Sequence, residues 1–159
     1  MYINIMTLDL FLKDNNCYIT EGYIEQVPEQ VQILKDLVNN NKIKNILQVG
    51  FNAGHSSCLF LENNKQCNVV SFDIGTHDYV HIGKQYIDKT YPNRHELIRF
   101  YSKIAVPIYI NTNKDIKFDL IFIDGGCSKS KIFTRGVYWE LIRGVVWGGV
   151  SNSIFSKNN

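Results

Sequence analysis

Asn45-Ile46-Leu47-Gln48-Val49-Gly50-Phe51-Asn52-Ala53-Gly54-His55-Ser56-Ser57 decides how this chain is read. A short apolar run ends in two glycines with three residues between them, and hydroxyl residues then open a helical stretch. Glycine at the end of a strand lets the backbone turn sharply and lets a ligand lie against bare main chain. A second apolar run, Val69-Val70-Ser71-Phe72-Asp73, ends in a carboxylate about 20 residues later, the spacing of a nucleoside-binding strand-helix-strand unit. The glycine spacing also excludes two pyrophosphate loops. Gly-x-Gly-x-x-Gly needs glycine where Asn52 stands, and a phosphate loop needs lysine where His55 follows Gly54.

Upstream of this core, Val31, Leu34, Leu37 and Val38 recur at three- and four-residue intervals behind Pro28, a residue suited to a first turn. That spacing predicts an amphipathic helix ending in Asn39-Asn40-Asn41. Residues 1–27 read as an N-terminal extension with some helix around Leu8 to Lys13, and residues 28–159 as the domain proper. Downstream, the pattern predicts strand 45–49, a helix from Ser56 to Asn63, a strand from Asn68 to Asp73 and a helix from Tyr79 to Thr90 stopped by Pro92. A short strand from Leu97 to Tyr101 follows, then a strand from Phe118 to Asp124 whose β-branched and aromatic residues suit burial on both faces of a parallel sheet. Ile132 to Arg143 reads as a helix, and Val145 to Val150 as a turn and a fifth strand. Strands alternating with helices predict an α/β, doubly wound, Rossmann-like domain with a mostly parallel sheet and helices on both faces.

Composition narrows the class of function. A chain of 159 residues is one domain by size. Its formal charge of +2 is nearly balanced and its lysines are scattered, so no nucleic-acid surface is expected. No apolar run approaches about 18 residues and no leader pattern opens the chain, so the reading is soluble, cytoplasmic and without a membrane role. Cys17, Cys58, Cys67 and Cys127 stand apart from one another, without the close Cys/His pairing of a zinc site, so reduced thiols and no metal are expected.

Four segments occur in a familiar order: Gly50-Phe51-Asn52-Ala53-Gly54-His55-Ser56, Phe72-Asp73-Ile74-Gly75-Thr76-His77-Asp78-Tyr79, Tyr91-Pro92-Asn93-Arg94-His95 and Phe118-Asp119-Leu120-Ile121-Phe122-Ile123-Asp124-Gly125-Gly126. Together they resemble the small-molecule branch of the class I S-adenosylmethionine-dependent methyltransferases, over about residues 22 to 126. The resemblance implies S-adenosyl-L-methionine as cofactor, held by Gly50, Phe51, Asn52, Gly54, His55 and Ser56 of the loop. It implies Asp73 bonded to the ribose hydroxyls, Ile74 beside the adenine and Ser102 bonded to the base. Asp124 would sit at the carboxyl edge near the transferred methyl, as both a cofactor contact and the catalytic residue.

Three positions depart from that pattern. Gln48 stands where the family usually has Glu, which helps hold the methionyl ammonium; Phe100-Tyr101-Ser102 stands where relatives read Gly-Asp-Ser; and Cys127 replaces a histidine. An amide keeps hydrogen bonding but not charge, and a thiol with an ordinary pKa of about 8.5 is a poor base near neutral pH. His77, His81 and His95 read as solvated or locally bonded. A metal would need a further acid or amide after the fifth strand, where only Ser151-Asn152 offers itself. The resemblance also implies two more strands, for which the sequence leaves no length; the last strands are therefore expected to be lacking. An uncovered sheet edge would favour a homodimer or leave a marginally stable monomer. The implied function is methyl transfer to oxygen or nitrogen of a small molecule, with a truncated, inactive cofactor-binding or assembly module as the alternative.

Overall fold

The computed structural model describes residues 6–124, 142–148 and 153–156. Five helices and six strands are described: α1 Leu8–Asp14, α2 Pro28–Val38, β1 Asn45–Val49, α3 His55–Asn63, β2 Asn68–Asp73, α4 Asp78–Thr90, β3 His95–Arg99, α5 Ser102–Thr112, β4 Phe118–Ile123, β5 Ile142–Gly148 and β6 Ser153–Ser156. A short 3-10 turn, Ile24–Gln26, precedes α2. The sheet order is β3-β2-β1-β4-β5-β6, parallel throughout except for β6, which runs antiparallel to β5. The doubly wound α/β expectation holds.

Side-chain alternation along β1 divides the core. Ile46 joins Phe51, Leu34, Val38, Phe60, Ile87 and Phe122 on the face covered by α1 to α4. Leu47 and Val49 turn the other way and meet Ala105, Val106 and Ile110 of α5. Successive strands walk outward from β1 to β3, then the chain returns across the opposite face through α5 to β4 on β1's other side. That reversal places the crevice at the carboxyl ends of β1 and β4, where ligands bind in open α/β sheets.

Several element boundaries differ from those read in the sequence. Leu97 to Tyr101 does not form the third strand; β3 is His95–Arg99, because β2 pairs with it from Val69↔His95 to Asp73↔Arg99 and the chain then turns into α5. Helix α5 itself was not anticipated, since Pro107 lies inside it and removes one helical N–H. The helix expected over Ile132 to Arg143 lies outside the described residues up to 141, and its last two residues open β5. The antiparallel β6 adds a strand where no further strand was expected. It pairs with β5 from Val145↔Ser156 to Gly148↔Ser153, so the uncovered edge that motivated a homodimer is not β5.

Residues of the N-terminal extension belong to the same core. Leu8 and Leu12 of α1 and Ile24 are buried in the cluster that contains Tyr86 and Ile87 of α4. The Tyr86 hydroxyl donates to the Met6 carbonyl at 2.9 Å, closing α1 onto α4.

Candidate functional site

A cavity of about 340 Å³ opens at the carboxyl edge, within the range of small-ligand pockets. Its floor is the bend that leaves β1. Gly50 and Gly54 adopt φ of 93° and 98°, and Asn52 between them has φ 54°. A side chain at Gly54 would also meet Phe51 at 2.9 Å and Ile87 at 2.8 Å, so strain and crowding both require glycine there. Asn52 tolerates the left-handed region better than most residues.

Asp73 ends β2 directly against this bend. Its Oδ2 accepts from the backbone N–H of Phe51 at 2.8 Å and of Asn52 at 3.0 Å, and its Oδ1 accepts from Gly75 N–H at 2.7 Å. A carboxylate has about four acceptor positions. Three are therefore used by the main chain, which leaves one for a ribose hydroxyl rather than the two that the sequence suggested. The acid thus shapes the loop as well as facing the cavity, which it lines together with Gly50, Phe51, Asn52, Ile74 and Asp124.

Other expected residues are gathered on the same walls. His55, Ser56 and Ser102 also line the cavity. Ile74 is exposed on its rim, as are Phe100 and Tyr101. The His55 ring is buried as the first residue of α3; its Nε2 lies 2.9 Å from Asp9 Oδ1, and Tyr23 packs on its face at 4.3 Å between centroids. The Asp124 backbone N–H donates to the Val49 carbonyl at 2.8 Å, which fixes where its side chain enters the crevice.

Two expected residues are not among those lining the cavity. Gly54 lies behind the wall, packed against Phe51 and Ile87. Gln48 turns away from the cavity into the face beneath α3. Its Oε1 accepts from Ser57 Oγ at 2.5 Å and Ser71 Oγ at 3.0 Å, and its Nε2 donates to the Gly50 carbonyl at 2.7 Å. In the parallel register Gln48 stands opposite Ser71, so both side chains emerge on one face.

Residues that no motif marked complete the enclosure. Glu21, Gly22, Tyr23 and Ile24 form one wall, tied down where Asn52 Nδ2 donates to the Gly22 carbonyl at 3.0 Å. His77 lies 3.3 Å from Glu21 and stacks on Tyr79 at 4.8 Å.

Two thiols and one imidazole are shifted away from acting as bases near neutral pH. Burial pushes the Cys58 and Cys67 thiols up, while Cys127 lies outside the described residues. His95 is driven down to about 3, first by burial and then by the nearby Lys84 charge. Its proton is lost on folding, so between about pH 3 and 6.5 the unfolded chain binds more protons and stability rises with pH. The urea midpoint should fall from pH 7 to pH 5, and by less in His95→Gln; an equal fall in both would remove His95 as a cause. Asp9, Glu25 and His55 bring one ligand atom each within 4.8 Å of one another, with the imidazole already paired to Asp9.

The glycine bend, the acid on the neighbouring strand and a second acid meet at one crevice of a Rossmann-like α/β domain. The sequence profile of the O-methyltransferase family matches residues 12–150, and the chain belongs to that family. No curated protein matches it. Among solved structures, an O-methyltransferase from Bacillus cereus in complex with SAH is similar at a TM-score of 0.66 and 23% identity, over 92% of this chain and 68% of that one. A Staphylococcus aureus protein assigned as a caffeoyl-CoA O-methyltransferase gives 0.65 and 23%, over 92% and 66%. SAH-bound PaMTH1 of Podospora anserina gives 0.60 and 20%, over 75% and 51%. These likenesses show a shared fold, and the chain spans about half to two thirds of the length of those structures. Among the described residues, no helix is long and apolar enough to cross a membrane.

Proposed function

We propose that the cavity binds S-adenosyl-L-methionine and that the protein transfers its methyl group to an oxygen or nitrogen of a small molecule. The observation that carries this reading is the meeting of Asp73 with the amides of Phe51 and Asn52 on the wall that also holds Asp124. The residues fit the cofactor in a second respect. Asn52 lines the cavity and its Oδ1 is buried without a partner, an acceptor open to a ligand donor.

When bound, the cofactor supplies an electrophilic methyl on a sulfonium. The chain's task is then alignment, since holding reactants in line can supply about 7–11 kcal/mol of a barrier. Asp73 would hold a ribose hydroxyl, Ile74 and Ser102 would flank the base, and the bare backbone at Gly50 would admit the amino-acid end. Asp124 is proposed to face the acceptor and take its proton where one must be lost.

Calorimetric titration with S-adenosylmethionine, S-adenosylhomocysteine and NAD tests the proposal. The first two should bind and NAD should not. Failure of both adenosyl ligands would overturn it and leave the assembly-module alternative.

A further inference from the structure

Beneath the glycine bend lies a buried polar cluster that the proposed chemistry does not use. Gln48, Ser57, Ser71 and His95 come from β1, α3, β2 and β3, and their polar atoms form one connected set. Gln48, Ser57 and Ser71 are all buried. The Gly50 carbonyl can only accept, so the group of Gln48 that faces it at 2.7 Å must be the amide NH2. The amide oxygen is then fixed toward the serines, and each hydroxyl spends its single proton on it. His95 Nε2 lies 2.9 Å from Ser71 Oγ and 3.3 Å from Ser57 Oγ, so the ring must be the donor there. Its Nδ1 is consequently a bare acceptor; it is buried without a partner, and the Phe51 ring packs 5.1 Å away between centroids.

We propose that Gln48 is a positioning residue for the cofactor bend: its amide N–H holds the Gly50 carbonyl, and the Ser57-Ser71-His95 chain, with His95 in the Nε2–H form, locks the amide's orientation. The role in binding rests on the methyltransferase reading above; the hydrogen-bond assignment does not. A carboxylate at position 48 could satisfy both serines but would set an oxygen against the Gly50 carbonyl. The amide is therefore the matched group for this bend, and the departure from glutamate is compensated locally. The groups facing it are Ser57 from α3, Ser71 from β2, His95 from β3 and the uncharged Phe122 opposite it on β4. Lys84 of α4 reaches this side only at the His95 carbonyl, 3.3 Å from its Nζ.

Gln48→Glu tests the assignment, with S-adenosylhomocysteine titrated into the folded variant and the wild type from pH 5.5 to 8.5. At pH 8.5 the variant should bind at least about tenfold more weakly. The deficit should shrink toward pH 5.5, where a protonated carboxyl regains a hydrogen to donate to Gly50. Equal affinity at pH 8.5, or a deficit constant with pH, would overturn the proposal. If the wild type binds no S-adenosylhomocysteine, the methyltransferase reading fails instead, and the ratio of thermal midpoints over the same pH range still tests the amide. If Gln48→Glu does not fold, nitrogen NMR of wild-type His95 decides. A neutral Nε2–H ring at pH 6 supports the network, and an Nδ1–H or protonated ring overturns it.

Discussion

Asp73→Ala should weaken S-adenosylhomocysteine binding by at least about tenfold and lower the thermal midpoint as well. The double effect follows from where the carboxylate is spent. It accepts from three backbone N–H groups, at Phe51, Asn52 and Gly75, and hydrogen bonds to charged groups contribute about 1.5–3 kcal/mol each. Alanine leaves all three donors to water and frees the bend to open before any ligand arrives. Asp73→Asn removes only part of both roles. Its single carbonyl oxygen can retain the Phe51 and Asn52 donors while the NH2 faces Gly75 N–H, so the variant should fall between wild type and alanine in both titration calorimetry and melting. Affinity unchanged in Asp73→Ala would remove this residue from the binding site. A loss of affinity with an unchanged midpoint would show that the loop does not need it.

Gly83→Ala should cost at least about 2 kcal/mol of stability and disrupt binding, although alanine is the better helix former by about 1 kcal/mol. Gly83 sits in the middle of α4, where a Cβ would lie 1.9 Å from the Ala53 carbonyl oxygen and 2.7 Å from its carbon. Both obstacles are backbone, so no rotamer change relieves them. The helix must withdraw by more than about 1 Å from a close-packed interface, and overpacking of that kind costs about 1–3 kcal/mol or more. Because Ala53 lies between Gly50 and Gly54, the displacement passes straight into the cofactor bend. Urea unfolding with calorimetry on the same sample checks it. A variant as stable as wild type would mean that α4 and the bend are not in the contact described.

The contrast between these two positions shows what a sequence can and cannot disclose. The Gly50-to-Gly54 spacing and the acid at 73 were legible because each is a local pattern with a mechanical reason. Strands β1, β2 and β4 were legible as short runs rich in apolar side chains. Gly83 was silent because its partner is thirty residues away by numbering and only the packing of α4 on the bend reveals the contact. Pro107 concealed α5, and the polar start of β3 at His95-Glu96 concealed its register. Gln48 was read as a ligand contact because its direction depends on which face β1 turns toward α3, a property of the assembled sheet. Residues 21–24 carried no motif, since their contacts with His55, His77 and Asn52 join positions far apart in the chain.

The wall made by residues 21–24 has a thermodynamic corollary. It is anchored at one end by Leu8 and Leu12 in the core and at the other by the Asn52 bond to Gly22. Were a ligand to favour the docked arrangement of this segment, docking would by reciprocity favour the ligand by the same coupling free energy. A molecule seated in the crevice would therefore touch this segment as well as the bend.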